Sequence, residues 1–557
     1  MVLGAIRKTN AGNRLQVALL IGIGLVSMLV YALGITARYP LVIGLQRPRA
    51  VWSTLVGYSL QAGLAHAGLY TLLILGYTLA LRLVSRLNGR NPRATIGLII
   101  SGWLVFSATL LGAYPGESLD IFDYLFRGRM LVEYGASPLA VAPVAFQSQP
   151  FYEYITWRVQ VDTYGPLWEY ASGAAAWVVQ YLADHAESQV AYIIGYRLMA
   201  IGLAGLCGAV IAAIVDRSTP QHTPAALLAW LWNPLLLITT AIGAHNDILM
   251  MLMVLVALLL FQRRRWAWGL LALLLAAHVK LTALLILPIV GLWLVRRCGW
   301  LRTIRISALA LGLAIPISWM LYAPLGGWAT LRRMLQERSR LLINSPADLV
   351  YRILQERYGW TEPAAWRITT QGATLLFFVG VAAVLAWFYI KNQEPAPAES
   401  TESRPPPPGS QLNLPAPVLG SKGDALLWRG CMAVTLVYLL IGSFWFQHWY
   451  LLWVLAPAAL LPANRWALTL LPAYCLGALW SDLTGTFLRG LPGRPFTATQ
   501  VEAYSVLAQV APLLCAVVVM WLWQHRPWLR AAVERHSAGL RTEPAPTQSR
   551  YEMDNLQ

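Results

Sequence analysis

"LWEYASGAAAWVVQYLA", residues 167–183, is the stretch on which the fold of this 557-residue chain turns. It is apolar enough to meet a membrane, yet short and polar for a span, with Glu169 near its start. Apolar runs of membrane length recur on both sides of it. They lie near 15–36, 58–81, 95–113, 191–215, 223–241, 246–261, 303–323, 370–390, 425–444, 448–462, 464–482 and 504–524. A hydrocarbon core about 30 Å thick takes roughly 20 apolar residues as a helix. The chain is therefore read as a polytopic, all-α membrane protein. The side on which every later loop falls depends on whether 167–183 crosses.

Residues 266–295 pose the matching question. As one helix they would run about 45 Å, too long for a core of roughly 30 Å. Charge separates the alternatives. If 167–183 spans, Arg263, Arg264 and Arg265 fall outside and the acidic Asp184–Glu187 falls inside. If 167–183 lies along the outer surface and 266–295 is two short helices, the triple Arg is cytoplasmic. Arg217, the Arg82–Arg93 group and the Arg296–Arg305 group then join it. Cytoplasmic loops carry the excess of Lys and Arg, which favours the second arrangement. It predicts a bundle of about 14 spans with both ends cytoplasmic.

Composition agrees. The chain is 57% hydrophobic and 12% charged, where a soluble protein carries about 25% charged residues. Its net charge of +17 rests on Arg, since there are four Lys. Such an excess marks cytoplasmic loops and anionic headgroups rather than nucleic acid. The first run, Leu15–Ile35, is too long for a cleaved signal and leads into further spans. Five Cys in or beside apolar segments predict neither a disulfide framework nor a metal cluster. Residues 394–417, "EPAPAESTESRPPPPGSQLNLPAP", read as a disordered cytoplasmic linker. The expected organisation is a catalytic membrane module over 1–391, a linker over 392–424, a second membrane module over 425–525 and a disordered tail over 526–557.

Three polar clusters share the outer side in this topology: 114–168, "GAHND" at 243–247 and "HVK" at 278–280. A basic loop, 324–369, faces the same side. In "YPGESLDIFDYLFRGRMLVEYG" (114–135), a helix from Asp120 places Ile121, Leu125, Gly128 and Val132 on one face, with Asp120, Asp123 and Arg127 on another. Ser118 is a candidate N-cap, and Asp120 in the first turn is favoured as a carboxylate. This reads either as a solvated loop with ion pairs or as a surface helix holding a general base at the mouth of a cavity, with Glu117 and Arg127 beside it.

His245, Asn246 and Asp247 join two strongly apolar helices. Asp247 is either a plain cap or part of a site, since polar groups at membrane depth are costly. A His-Asn-Asp run is weak ground for a metal; a divalent ion is compatible with the sequence but not required by it, and no cofactor is assigned. Lys280, deep in "AAHVKLTALLILP" (276–288), either snorkels to an interface or meets an anionic headgroup such as a phosphate. On cost of burial alone, Lys280→Met is expected to fold normally. Gln447, His448, Trp449 and Tyr450, and likewise "TYGPLWEY" (163–170) with Tyr164 and Trp168, are either interfacial aromatics or substrate contacts.

Taken in order, "SLDIFDYLFRGRMLVEYGASPLAV", "TYGPLWEY", "NPLLLITTAIGAHND", "VKLTALLILP" and "FQHWYLLW" resemble the GT-C superfamily of membrane glycosyltransferases. In detail the chain resembles bacterial polyprenol-phosphate-mannose-dependent mannosyltransferases of the α-1,6 type. The resemblance covers about residues 114–456. It implies a GT-C fold whose first long outer loop carries the catalytic acid beside extracytoplasmic juxtamembrane helices. Asp120 matches the acid of the family's Ser-x-Asp, with Asp123 next to it; Asp247 and Lys280 match later outer-loop polar positions. The chain departs from the family at Gln447-His448-Trp449-Tyr450, where relatives tend to have Gln-Pro-Trp-Tyr.

The expected activity is inverting transfer of a sugar, mannose by resemblance, from a polyprenyl phosphate to a glycan or glycolipid acceptor, on the outer face of the plasma membrane. Lys280 and loop arginines (Arg332, Arg333, Arg338, Arg340) are the candidates to offset the lipid phosphate. Two rivals stand beside it. One is a flippase or transporter for lipid-linked sugars, which should show paired inverted repeats, none of which is evident. The other is a ligase or polymerase of lipid-linked oligosaccharides.

Overall fold

The computed structural model describes residues 2–86, 92–182, 188–338, 342–393, 421–462 and 464–525. The Pro-rich stretch 394–417, the tail from 526, the acidic residues of 184–187 and Arg340 lie outside these residues. Among the described residues the elements are helices, and the β-pairing is limited to two isolated bridges, Pro40 with Ala113 and Ile343 with Trp445. Among the described residues, nine helices are long and apolar enough to cross a membrane, or ten with one bent pair counted as a span. The protein is an all-α polytopic bundle.

The difference from about 14 expected spans has local causes. Asn233-Pro234 divides the 223–241 run into Pro220–Leu231 and Pro234–Ile242, which meet at 51°. Pro disfavours helix at the residue before it. The freed Asn233 side chain instead accepts from Leu235 N–H at 2.9 Å and starts the second helix. Residues 448–462 hold a 3-10 turn, His448–Leu451, and an eight-residue helix, Leu452–Ala459. Asp247–Gln262 has 16 residues and Trp266–Ala276 has 11, both short of a span.

The 266–295 stretch does break in two. Trp266–Ala276 and Leu287–Cys298 are separated by the turn at 277–280 and a 3-10 segment, Leu281–Ile286. Lys280 is extended there, with φ −153° and ψ 124°. The deciding stretch forms the 17-residue helix Pro166–Leu182, which is not among the membrane-length helices. It is one-sided: Trp168, Ser172, Ala176 and Val179 are buried at helical spacing, while Trp177, Tyr181 and Leu182 are exposed.

The helix Asp120–Val132 departs from the surface position expected of it. Ten of its residues, Ile121 to Met130, are buried. It packs on Pro166–Leu182, where Ser172 Oγ donates to Tyr124 O at 2.9 Å. The loop 133–165 closes over it, and Arg127 Nη2 donates to Trp157 O and Gln160 O at 3.0 and 3.1 Å. One apolar core runs from Leu20 to Phe487. The segment after the Pro-rich stretch therefore packs into the same bundle as the front of the chain.

Candidate active site

The Asp120 helix, the 157–164 loop, the Lys280 turn and the 438–453 segment enclose a cavity of about 380 Å³. Each wall arrives for a sequence reason. Ser118 Oγ accepts from Asp120 N–H at 3.2 Å, although Leu119 and not Ser118 takes the cap position. Asp120 thus opens the helix with its side chain 19% exposed toward the cavity. Gly165 lets the 163–166 turn touch the Lys280 turn: a Cβ there would strike the His278 carbonyl. Gly165 N–H then donates to Val279 O at 3.0 Å. This close approach brings Tyr164 and Lys280 to one wall.

Lys280 is 2% exposed and held by Asp247, with Nζ at 2.8 and 3.0 Å from the two carboxylate oxygens. Trp453 Nε1–H donates to Asp247 Oδ1 at 2.6 Å. The amine also lies over Tyr450, Trp453 and Tyr164, 4.3, 5.3 and 5.4 Å from their ring centres. A buried ion pair survives only when its remaining hydrogen-bonding capacity is met, and Trp453 contributes that here. Asp247 is thus more than a plain helix cap: it carries the counter-charge to the buried lysine.

Asp120 and Asp123 have different surroundings. Asp123 accepts from Thr156 N–H and Trp157 N–H at 3.1 and 3.0 Å, so both its oxygens tie down the loop. Asp120 Oδ2 is met by Tyr124 OH at 3.4 Å and lies 3.9 Å from His245 Nδ1. Burial pushes the Asp120 carboxyl up to about 6, Lys280 opposing and Asp247 adding to the rise. Burial likewise lifts Asp123 to about 7 against the pull of Arg127. Arg127 pairs with Asp162 at 3.5 Å, and both line the cavity.

Of the residues singled out from sequence, Asp120, Asp123, Arg127, Tyr164, Lys280, Trp449 and Tyr450 line this cavity. Asp247 stands directly behind it. Glu117, His245, Asn246 and His448 are buried at its rear, and Trp168 packs edge-on against Tyr124. Gln447 is not in the lining. Arg332 and Arg333 are exposed and do not line it. Arg338 ends the helix Trp328–Arg338, with its side chain outside the description. The lining cations are Lys280 and Arg127. Among the described residues, no group of three or more His, Cys, Asp or Glu is placed to hold a metal ion.

A family model described as "Alpha-(1->6)-mannopyranosyltransferase, N-terminal domain" matches residues 19–296, half of the chain. The chain belongs to this family. Alpha-(1->6)-mannopyranosyltransferase A of Corynebacterium glutamicum is 28% identical over 205 residues, 35% of this chain and 39% of that relative. Its namesake in Mycobacterium tuberculosis is 28% identical over 210 residues, 36% of this chain and 37% of that relative. The chain spans less than two fifths of the length of the curated relatives it matches.

In this mannopyranosyltransferase-family protein, several lining residues carried no signal that singled them out. Asp162, Trp157 and Gln160 sit in an irregular loop without periodicity. Asp162 had one local clue, its place two residues before Tyr164-Gly165-Pro166, where its Oδ1 accepts from Thr163 and Tyr164 N–H at 2.6 and 3.0 Å. Trp445 and Trp453 flank the "FQHWY" run and read there as interfacial aromatics.

Proposed function

We propose that this protein is an inverting glycosyltransferase that moves mannose from a polyprenyl-phosphate donor to a glycan or glycolipid acceptor. The observation that carries the reading is one cavity holding a carboxylate near neutrality, Asp120, together with a buried lysine, Lys280. Asp120 takes the proton of an acceptor hydroxyl. That oxygen bonds to the anomeric carbon from the face opposite the phosphate. The anomeric carbon–oxygen bond breaks, and its electron pair leaves with the lipid phosphate. Lys280 and Arg127 offset the charge that gathers on the phosphate, as preorganised donors do in a site closed to water. Trp157, Trp445 and Trp449 offer ring faces to the sugars.

The testing experiment incubates purified protein with polyprenyl phosphate carrying labelled mannose, and with a synthetic octyl mannoside as acceptor. Labelled octyl dimannoside is the expected product. No transfer from the lipid donor, or equal transfer from a nucleotide sugar, would remove the reading.

Asp120 sets a pH expectation. Below about 6 its raised pKa keeps it protonated and unable to accept a proton. The ratio kcat/KM should therefore climb as pH rises through about 6 and level off above. A profile already flat at about pH 5 contradicts this role.

The cavity is assigned to the extracytoplasmic side, following the charge asymmetry of the loops. Val159, 68% exposed beside the cavity, is a suitable reporter, and Arg264 is its counterpart. In a background lacking the native cysteines, Val159→Cys should label with an impermeant reagent in intact cells and Arg264→Cys should not. The reverse pattern would invert the topology.

A further inference from the structure

Behind the cavity lies a second group of ionisable side chains that the transfer reaction, as described, does not use. His245 is fully buried and stacks on Trp449, ring centres 3.7 Å apart. Packing accounts for its faces but not for its nitrogens. Nδ1 lies 3.5 Å from Tyr124 OH, on the Asp120 side. Nε2 points the other way and has no hydrogen-bond partner. What it faces is Glu117: a Cβ on Gly243 would collide with both Glu117 Oε1 and His245 Nε2. The glycine thus keeps open the space between an imidazole nitrogen and a carboxylate. Glu117 is 8% exposed, and no side chain hydrogen-bonds either of its carboxylate oxygens. Leaving buried polar groups without a side-chain partner is costly, so two that face one another across a gap call for a reason.

We infer that Tyr124, His245 and Glu117 form a proton relay that empties Asp120 after each transfer. The inference rests on Asp120 being the base. After transfer, Asp120 is a neutral acid in a cavity still holding the spent phosphate lipid and the product, so its proton leaves by the rear. Asp120 O–H passes its proton to the Tyr124 oxygen as Tyr124 passes its own to His245 Nδ1. His245 Nε2–H then passes its proton to Glu117. At the end Asp120 is a carboxylate again, Tyr124 and His245 are neutral, and Glu117 is a carboxylic acid. One proton has moved and no charge has been created on the imidazole; before the next transfer Glu117 gives its proton up to solvent and the imidazole returns to its Nε2–H tautomer.

The electrostatics fit this sequence. Burial holds His245 well below its ordinary value, with His448 and Lys280 adding to the effect, so it works as a neutral ring. Burial pushes Glu117 up to about 8, opposed by its own backbone N–H, Arg197 and the Ser118 N–H, with Asp482 adding to the rise. Tyr70 and Tyr114 also face Glu117. Glu117 is therefore a stronger base than Asp120, which is the direction the relay requires. Asp482, 3.8 Å from His448 Nδ1 and 17% exposed, is the outward side of the same group.

The relay follows the bond-making step, so it governs kcat and not kcat/KM. With polyprenyl-phosphate-mannose and octyl mannoside, wild-type kcat should keep rising up to about pH 8, where Glu117 ionises, while kcat/KM levels off above about 6. Glu117→Gln should lower kcat by about tenfold or more, erase the upper limb and leave kcat/KM unchanged. His245→Phe keeps the stack on Trp449 and should give the same phenotype. The double variant should be no slower than either single one, as for residues acting in one chain. Glu117→Asp should restore part of kcat and the upper limb. Unchanged kcat in Glu117→Gln, or kcat/KM falling in step with kcat, overturns the relay. Asp120→Asn, assayed alongside, separates the two readings. If it is inactive while Glu117→Gln keeps the wild-type profile, the base stands and the relay falls. If Asp120→Asn is active, the base reading falls and the relay with it.

Discussion

Replacing Asp120 by Asn is expected to slow transfer by about 10²–10⁴-fold, the usual size of a general-base contribution, with normal expression and melting temperature. Asn keeps the shape and can still accept from Tyr124, so the helix start should survive. The carboxylate is partly open to the cavity and makes no ion pair closer than the 3.9 Å approach of His245, so removing its charge strands no cation. The effect should appear in kcat and in kcat/KM together, since the interaction belongs to the transition state. Asp123 provides the contrast. Its oxygens hold Thr156 and Trp157 N–H, so Asp123→Asn should loosen the loop and change stability as well as rate. A nearly wild-type Asp120→Asn enzyme would move the search for the base to the other lining carboxylates, Asp123 first and then Asp162.

The second large effect concerns Lys280, and the structure reverses the expectation that Lys280→Met folds normally. Asp247 is 0% exposed, and its partners are the lysine and Trp453. Methionine would leave a carboxylate buried without a counter-charge, and breaking such a pair from one side costs about 3–5 kcal/mol. A marked fall in melting temperature and in yield is expected. Adding Asp247→Asn removes the stranded charge while an amide oxygen still accepts from Trp453, so stability should return. Activity should not return: loss of one charge-assisted contact to the phosphate costs about 1.5–3 kcal/mol, roughly ten- to a hundredfold in donor use. The measurements are melting temperatures and initial rates against donor concentration for both variants. A double variant that is stable and uses donor like wild type would leave the phosphate contact to Arg127.

Much of this arrangement was legible in the sequence, for stated reasons. The break at 277–280 followed from length: 30 apolar residues cannot cross a core of roughly 30 Å as one straight helix. That Lys280 needed a partner followed from the cost of burying an amine alone, while its partner Asp247 came from a contact across the chain. Asp120 in the first turn followed from Ser118 and the helical spacing after it. What failed to show depended on contacts across the chain. Nothing local says that 133–165 folds over the Asp120 helix, because a loop has no period and its anchors, Arg127 and Asp123, bond to backbone atoms that every residue possesses. Charge density draws the eye to the arginines of 332–340, yet Arg332 and Arg333 sit on an exposed helix face, and among the described residues the guanidinium that reaches the cavity is Arg127.

The hydrogen bond from Trp453 to Asp247 ties together two distant parts of the chain. The stretch that the family model matches, 19–296, supplies Asp120, Tyr124, Asp247 and Lys280. Trp445, Trp449, Tyr450 and Trp453 come from beyond it. The groups proposed to react and the aromatic wall proposed to meet the sugars thus arrive from separate stretches of one polypeptide. Trp453 belongs to both: its indole is committed to the carboxylate that holds the lysine, so a change there should reach the ion pair as well as the wall.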